Sequence, residues 1–592
     1  MKTAFFFLTF TAFLTAQPSF RSWHLQQPAR FAGYVDSCAK FWMKAYDTAD
    51  GGFYVNINRQ GNLSGSTIKN TLNQSRDAYG FIRAFQMTGD TVYLRYARYA
   101  LDFLYKHAWD KTNNGFYNSL SKNGSPSSPN ETKTAYHQHY ALLGIAAAAE
   151  ALRDSLDLAW LQKGYEYNET VLWDPSPAVF GYFDYVSADG TNPTDKSFNA
   201  TVDAVTTHVL HLYLMTGDAA YKQRLLQLAD NMIGRLVASM PQQAIGIAEK
   251  YTSAWQPKAS ETMTIMGHVL KTGWCLGRIY QLEKDPAYLA AAEQLVQHVL
   301  AKGYDHRYGG PYKDYNRTTG QMLMWGIADT AKAWWQMEQA VTAGMMLYHL
   351  TGKEEYRTMA DESLDFFMKY FVDHVYGEVF ENTNRAGGAI PQWGTTKGGT
   401  GKAAYHSIEL GYYGYLYGTL LVRREPATLH YSFAPSAEER ELRMRPVGLP
   451  DGALVITGVT RNGQPYAVYD SAALTLTLPK GTGGLFTVTY APAGPVTSVP
   501  SAPLPVQFTL DQNYPNPFNP STAIRYAIPA AGNVSLKVYT LLGQEVATLV
   551  SGVQPAGVHT VTFDAPNLAG GVYLYRLTSG GSSQVKKMLL VR

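Results

Sequence analysis

Histidines stand inside apolar, helix-periodic stretches at several well-separated places. His208 and His211 lie in TTHVLHLYLMTGD, His268 in TIMGHVLKTGWCLGRIY, and His406 in GKAAYHSIELGYYGYLYGTLL. A single histidine on an apolar face is ordinarily a satisfied core residue. Several at matching places in repeated units are different, because they can converge on one point and move protons near neutral pH. Arg76 sits early on an equally apolar helix, TLNQSRDAYGFIRAF. A guanidinium there needs an anion or hydrogen-bonding target, met by a substrate oxygen or by an ion pair with a neighbouring helix. DTAKAWWQMEQAV adds Trp334, Trp335 and Glu338. Adjacent tryptophans point to different sides of a helix, so at most one is expected to line a pocket. Glu338 shares a helical face with one or both. No HExxH or CxxC string occurs, so neither a metal nor a cofactor is expected.

These residues need a scaffold, and the chain shows an internal repeat. FQMTGDTVYLRYARYALDFL (85–104) recurs loosely as YLMTGDAAYKQRLLQLADNM (213–232) and YHLTGKEEYRTMADESLDFF (348–367), with weaker copies at 151–167 and 280–299. Each is a short turn between two apolar-periodic helices, with a period of about 65 residues. A second mark, Asp then a Gly-containing turn then an aromatic, recurs in YDTADGGFY, WDKTNNGFY, YDHRYGGPY and VDHVYGEVF. About six helical pairs predict a closed (α/α)6 barrel over residues 17–425, its inner helices converging on one pocket; an open solenoid would need polar caps.

The flanks read differently. Residues 1–16, MKTAFFFLTFTAFLTA, have the form of a cleaved secretory signal and are too short to span a bilayer. No later apolar run is long enough to span one, so no transmembrane segment is expected in the mature chain. Beyond residue 425 the pattern alternates in ALVITGV, AALTLTLP and LFTVTYAP, predicting a small β-domain at 426–492. A Pro-rich linker at 493–507 and a second β-unit at 508–592 follow, both β-units being read as sandwich-like.

Composition narrows the function classes. The chain has 592 residues, of which 16% are charged and 13% aromatic, with 50 basic against 47 acidic side chains. That balance gives no support to nucleic-acid binding and excludes a disordered chain. A Tyr- and Trp-rich surface suits sugars, whose C–H faces stack on aromatic rings. Cys38 and Cys275 are too few for a disulfide scaffold. A single bridge between them and two free thiols are both compatible with the sequence.

The region 31–422 resembles the N-acylglucosamine 2-epimerase superfamily, which includes cellobiose 2-epimerases and aldose–ketose isomerases. The resemblance rests on NQSRDAYGFIRAFQMTGDTVYL, KTAYHQHYALLGIAAAAEAL, the His208 helix, GHVLKTGW, YDHRYGGPY, KAWWQMEQAV and AAYHS. It implies a metal-free barrel that opens a sugar ring and abstracts the C2 proton. A cis-enediolate forms, and a proton returns to C2 or C1. It further implies that His268 and His406 are the acid/base pair. Arg76 would sit near the reacting oxygens. His208, Tyr136, Trp334, Trp335 and Glu338 would occupy pocket positions.

Two departures stand out. The family usually carries Glu three residues after the first histidine, where this chain has Lys271. It usually carries Arg three residues after the second, where this chain has Glu409. The double exchange suggests that Lys271 and Glu409 face each other as a swapped ion pair, or that they recognise a different substrate. Lys271 would favour a neutral His268, and Glu409 a charged His406.

The tail motifs LDQNYPNPFNPSTAIRYAIP, VYTLLGQEVATLV, LAGGVYLYRLTSG and KKMLLVR resemble the C-terminal sorting domain of the type nine secretion system. This implies the outer-membrane export machinery as a partner, and a location outside the cell or on its surface. An exported sugar epimerase or isomerase is therefore expected. The alternatives are a glycoside hydrolase or lyase, and a non-catalytic sugar-binding protein. A hydrolase needs two pocket carboxylates about 5–9.5 Å apart. Asp203, Glu338 and Glu409 are the candidates, but spacing alone shows no such pair.

Overall fold

The computed structural model describes residues 20–323, 330–493, 508–529, 532–554 and 557–591. The expected signal (1–16) and all of the expected linker except residue 493 lie outside the described residues. The chain divides into two compact units, Ser22–Val496 and a C-terminal unit from Thr497 onward.

Helices dominate the first unit and alternate between an outer and an inner layer. The outer helices are α1 (Phe31–Met43), α3 (Val92–Phe103), α5 (Ser155–Tyr167), α7 (Ala219–Asn231), α9 (Pro286–Lys302) and α11 (Glu354–Phe366). The inner helices are α2 (Thr71–Thr88), α4 (Ala135–Leu152), α6 (199–216), α8 (Met266–Leu282), α10 (Trp334–Thr351) and α12 (Tyr405–Leu416). Each inner helix packs on the next, and α12 returns to α2, which closes a helical barrel. The inner helices are buried nearly all round, so they carry little amphipathic signal, while outer helices such as α3 bury one face.

The two sequence marks have distinct structural jobs. The Thr-Gly turns end inner helices: Gly89, Gly217 and Gly352 take φ of 73°, 73° and 70° as left-handed caps. At Gly217 a Cβ would sit 1.3 Å from Arg443 Nη1, so a side chain there would both strain the left-handed backbone and displace that guanidinium. The Asp-Gly turns lie at the other end, just ahead of the inner helices, and each is clasped by a buried lysine. The pairs are Lys69–Asp47 (2.9 Å), Lys133–Asp110 (2.9 Å), Lys196–Asp174 (2.8 Å), Lys332–Asp305 (3.1 Å) and Lys397–Asp373 (2.8 Å). Each lysine also donates to a turn carbonyl, such as Asn114 O for Lys133 and Gly309 O for Lys332. Breaking a buried pair strands the other charge at about 3–5 kcal/mol, so these clasps fix the loops from which the inner helices start.

The 426–492 segment forms strands, in a four-stranded and a three-stranded sheet, but falls within the barrel's compact unit. Thr428 N donates to Tyr415 Oη at 2.8 Å, and Arg153 Nη2 donates to Arg443 O at 2.6 Å. Its strands cover the Thr-Gly-turn end of the barrel, where His430 lies against Gly89 and Arg443 against Gly217. Alternating patterning announces strands but not the surface they cover.

In the C-terminal unit, Thr509–Leu510, Ser521–Ile528 and Gly557–Asp564 form one sheet. Glu545–Gln554, Gly532–Thr540, Gly571–Ser579 and Ser582–Leu590 form another, in that order. Ile524 and Tyr526 from the first sheet share one apolar core with Leu536, Val538 and Tyr575 from the second.

Candidate active site

The N-terminal turns of the inner helices surround a cavity of ≈ 240 Å³. Arg76 of α2, Tyr136 and Tyr140 of α4, Asn199 and Asp203 of α6, His268 and Lys271 of α8, Trp334 and Trp335 of α10, and His406 of α12 all line it. Both tryptophans therefore reach it, contrary to the expectation from their adjacency. They are the first two residues of α10, and at a helix start on a rim, side chains about 100° apart both overlook the opening.

His268 is oriented from behind. Its Nδ1 lies 2.8 Å from Glu249 Oε2, which leaves Nε2 for the cavity. Its ring stacks on Phe198 at 3.9 Å between centroids and contacts Trp335 at 5.1 Å. Pairing of the short strands Lys196–Ser197 and Lys250–Tyr251 carries both supports into place, with Phe198 N donating to Glu249 O at 2.9 Å. Glu249 also accepts from Ile265 N at 2.7 Å, which ties it to the start of α8. Nothing in the AIGIAEKY string marks Glu249 as a partner of His268; only the strand pairing brings them together.

His406 has a different backing. Its Nδ1 lies 3.4 Å from Glu338 Oε2 and 3.9 Å from Glu409 Oε2, without a hydrogen bond. Nε2 again remains for the cavity. Burial, and then the positive charges of Arg76 and Lys271, hold its pKa well below the ordinary histidine range. The ring is neutral, not the charged form expected from Glu409. One ligand-type atom from each of Glu338, His406 and Glu409 lies within 4.8 Å of the others. At 4.8 Å and an effective dielectric near 20, two carboxylate charges repel by about 3.5 kcal/mol. Burial raises both carboxyl pKa values, and Glu409 adds to the rise at Glu338. The pair therefore holds a proton. Thr342 Oγ1 donates to Glu338 Oε1 at 2.9 Å, Tyr79 Oη donates to Glu409 Oε1 at 3.4 Å, and the Arg278 guanidinium favours ionisation of Glu409.

The swapped ion pair does not form. Lys271 Nζ lies 2.6 Å from Asp203 Oδ1 and 3.2 Å from Tyr140 Oη. Burial would lower the lysine pKa, but Asp203 outweighs it and drives it upward. Lys271 in turn holds Asp203 below the usual range against its own burial. Asp203 comes from a stretch of π-helical turns, Asn199–Asp203 and Val205–Val209, and Asn199 Nδ2 secures its other oxygen at 3.0 Å. The cation on α8 is thus neutralised from α6.

Arg76 has no carboxylate within ion-pair distance among the described residues. It donates to Gly401 O and to Tyr136 Oη (3.1 Å), and its guanidinium lies 4.4 Å from the Tyr140 ring centroid. Its charge faces the cavity. His208, Glu338 and Glu409 do not line it. His208 is fully buried, stacks on His139 at 5.3 Å and contacts Thr207 Oγ1 at 2.9 Å; burial, then His139 and His211, keep it neutral. His211 is bound to Glu150 at 2.9 Å. Cys38 and Cys275 are both free and buried.

Two imidazoles, a guanidinium with no carboxylate partner among the described residues, and aromatic walls surround one small cavity on a closed helical barrel. The chain belongs to the N-acylglucosamine 2-epimerase (GlcNAc 2-epimerase) family, whose model matches residues 52–409. A cellobiose 2-epimerase of Eubacterium cellulosolvens is 22% identical over 360 residues, covering 58% of this chain and 87% of the relative. A D-mannose isomerase of Thermobifida fusca is 25% identical over 296 residues, covering 45% and 66%. The structure of cellobiose 2-epimerase from Spirochaeta thermophila shares the fold, with a TM-score of 0.58 at 21% identity over 67% of this chain and 97% of that one. Residues 512–591 match the secretion system C-terminal sorting domain, which marks the chain for export to the cell surface or release through the type nine machinery.

Proposed function

We propose that this protein is an exported sugar 2-epimerase or aldose–ketose isomerase, built on an (α/α)6 barrel and acting on a mono- or oligosaccharide. The two imidazoles opening onto one cavity, each backed at Nδ1 by carboxyl groups, carry this reading. With the sugar ring opened, one histidine takes the C2 proton at Nε2. The C2–H electron pair moves into the C1–C2 bond, and charge collects on O1. Arg76 stabilises that charge. The other histidine returns a proton to C2 from the opposite face, restoring the C1 carbonyl and giving the epimer; protonation at C1, with the O2 hydroxyl proton passing to O1, gives the isomer. The proton held by Glu338 and Glu409 serves this return: as Nε2–H leaves His406, Nδ1 takes up the proton behind it. The cavity is below the usual ~300–1,000 Å³ of small-molecule sites, which suits a single reacting ring with any second ring at the mouth.

A hydrolase is less well served. Among the described residues lining the cavity, Asp203 is the one carboxylate, and it is committed to Lys271. The test is incubation with mannose, glucose, cellobiose and mannobiose in deuterated water, followed by NMR. Deuterium at C2, abolished in His268→Ala and His406→Ala, is expected. Glycosidic cleavage, or binding with no exchange, overturns the proposal.

A further inference from the structure

The two cavity histidines are backed unequally. At His268, Glu249 Oε2 stands 2.8 Å from Nδ1, while Glu249 Oε1 accepts from Ile265 N at 2.7 Å. Both carboxylate oxygens act as acceptors, so the hydrogen between Nδ1 and Oε2 is the imidazole's. A neutral ring that donates at Nδ1 keeps its lone pair at Nε2, the atom left for the cavity. Among the described residues no lysine or arginine pairs with Glu249, so its charge is kept for the ring. One turn after His268 on α8 stands Lys271, itself bound to Asp203. The carboxylate that serves His268 therefore comes from the Lys250–Tyr251 strand region and not from its own helix.

At His406 the arrangement is reversed. Its Nδ1 is buried, lies 3.4 Å from Glu338 Oε2 and makes no hydrogen bond. A ring that donates nothing at Nδ1 carries its hydrogen at Nε2 when neutral. Trp335 contacts both rings, at 5.1 Å from His268 and 6.0 Å from His406 between centroids. One cavity thus receives a lone pair from His268 and an N–H from His406.

We propose that Glu249 is a positioning residue that assigns the two roles, making His268 the base and His406 the acid of the resting enzyme; this rests on the epimerase or isomerase reading above. The C2 proton passes to His268 Nε2, Glu249 holds the imidazolium so formed, and the C2–H electron pair enters the C1–C2 bond. The hydrogen on His406 Nε2 then passes to the sugar, and Nδ1 takes up the proton behind it. After product leaves, His268 gives its proton to water. Water returns one to His406 Nε2, and Nδ1 hands its own back to the carboxyl pair.

The test is Glu249→Gln. An amide has one acceptor oxygen: with that oxygen on Ile265 N, its NH2 donates to His268 Nδ1 and moves the ring's hydrogen to Nε2, which removes the base. On whichever of mannose, glucose, cellobiose and mannobiose the wild type turns over, kcat should fall by roughly 10²–10⁴-fold. KM should change by less than about threefold, because Glu249 does not line the cavity. Glu249→Asp, which keeps the charge and both acceptors, should recover part of the loss. Proton NMR gives a readout free of activity. An Nδ1–H held by a carboxylate gives a downfield resonance, expected in wild type and absent from His268→Ala and Glu249→Gln, beside a reference resonance from His211 and Glu150. Equal melting of wild type and variants shows an intact fold; where Glu249→Gln does not fold, the wild-type and His268→Ala spectra decide. Wild-type turnover in Glu249→Gln, a loss confined to KM, or a wild type without the resonance overturns the assignment. A wild type that carries the resonance but turns over none of these sugars overturns the epimerase or isomerase reading itself.

Discussion

Removing the charge of Lys271 while leaving Asp203 in place tests the central electrostatic finding. The two charged atoms are 2.6 Å apart, and both side chains are at most 3% exposed. At an effective dielectric near 20 their gross attraction is about 6 kcal/mol. Much of that offsets desolvation, and removing one partner of such a pair costs about 3–5 kcal/mol. The roughly 475 residues of Ser22–Val496, at ~2.1 cal/mol/K each, have an unfolding entropy near 1 kcal/mol/K. Lys271→Met, and separately Asp203→Asn, should therefore lower the barrel's calorimetric melting temperature by roughly 3–5 °C. The double variant should recover most of the loss, because neither charge is then stranded. Coupling of at least about 2 kcal/mol in this cycle is expected. If Lys271 were instead a free cation for substrate, Lys271→Met would raise KM and leave melting unchanged. Additive single effects below about 1 kcal/mol would refute the reasoning.

Other outcomes follow from the same geometry. Arg76→Lys keeps the charge but loses the planar fork, and kcat should fall by roughly 10²–10³ with little change in KM, read by steady-state kinetics. Glu338 and Glu409 have raised folded-state pKa values, so their favourable contribution is complete below the unfolded carboxyl value and is lost as pH rises through the raised ones. Glu409→Gln should flatten this alkaline decline; urea midpoints measured from acid to alkaline pH that run parallel to wild type would refute the shared proton. Burial pushes the Cys275 thiol up to about 12 and the Cys38 thiol well above its ordinary value. Neither thiol should react with a bulky thiol reagent before denaturation, both should react after it, and non-reducing electrophoresis should show no internal bridge.

Much of this protein is written locally. The Thr-Gly and Asp-Gly marks announced the hairpins because each is a short-range device, a left-handed cap or an Asp-anchored turn. The histidine helices and Arg76 were legible as polar groups on apolar helices, Tyr136 was implied only by the family resemblance, and the structure gathers His268, His406, Arg76 and Tyr136 at one cavity. What the sequence could not decide was which charge meets which. It offered Glu409 as the partner of Lys271, yet α6 delivers Asp203, from 68 residues away, and α10 delivers Glu338 against Glu409. It gave no sign of Glu249, which reaches His268 only because two-residue strands pair across the loops. Spacing along a chain fixes neighbours within a helix or turn. Ion pairs and proton-sharing pairs are set by distances of about 3 Å between helices, and only the closed barrel sets those distances.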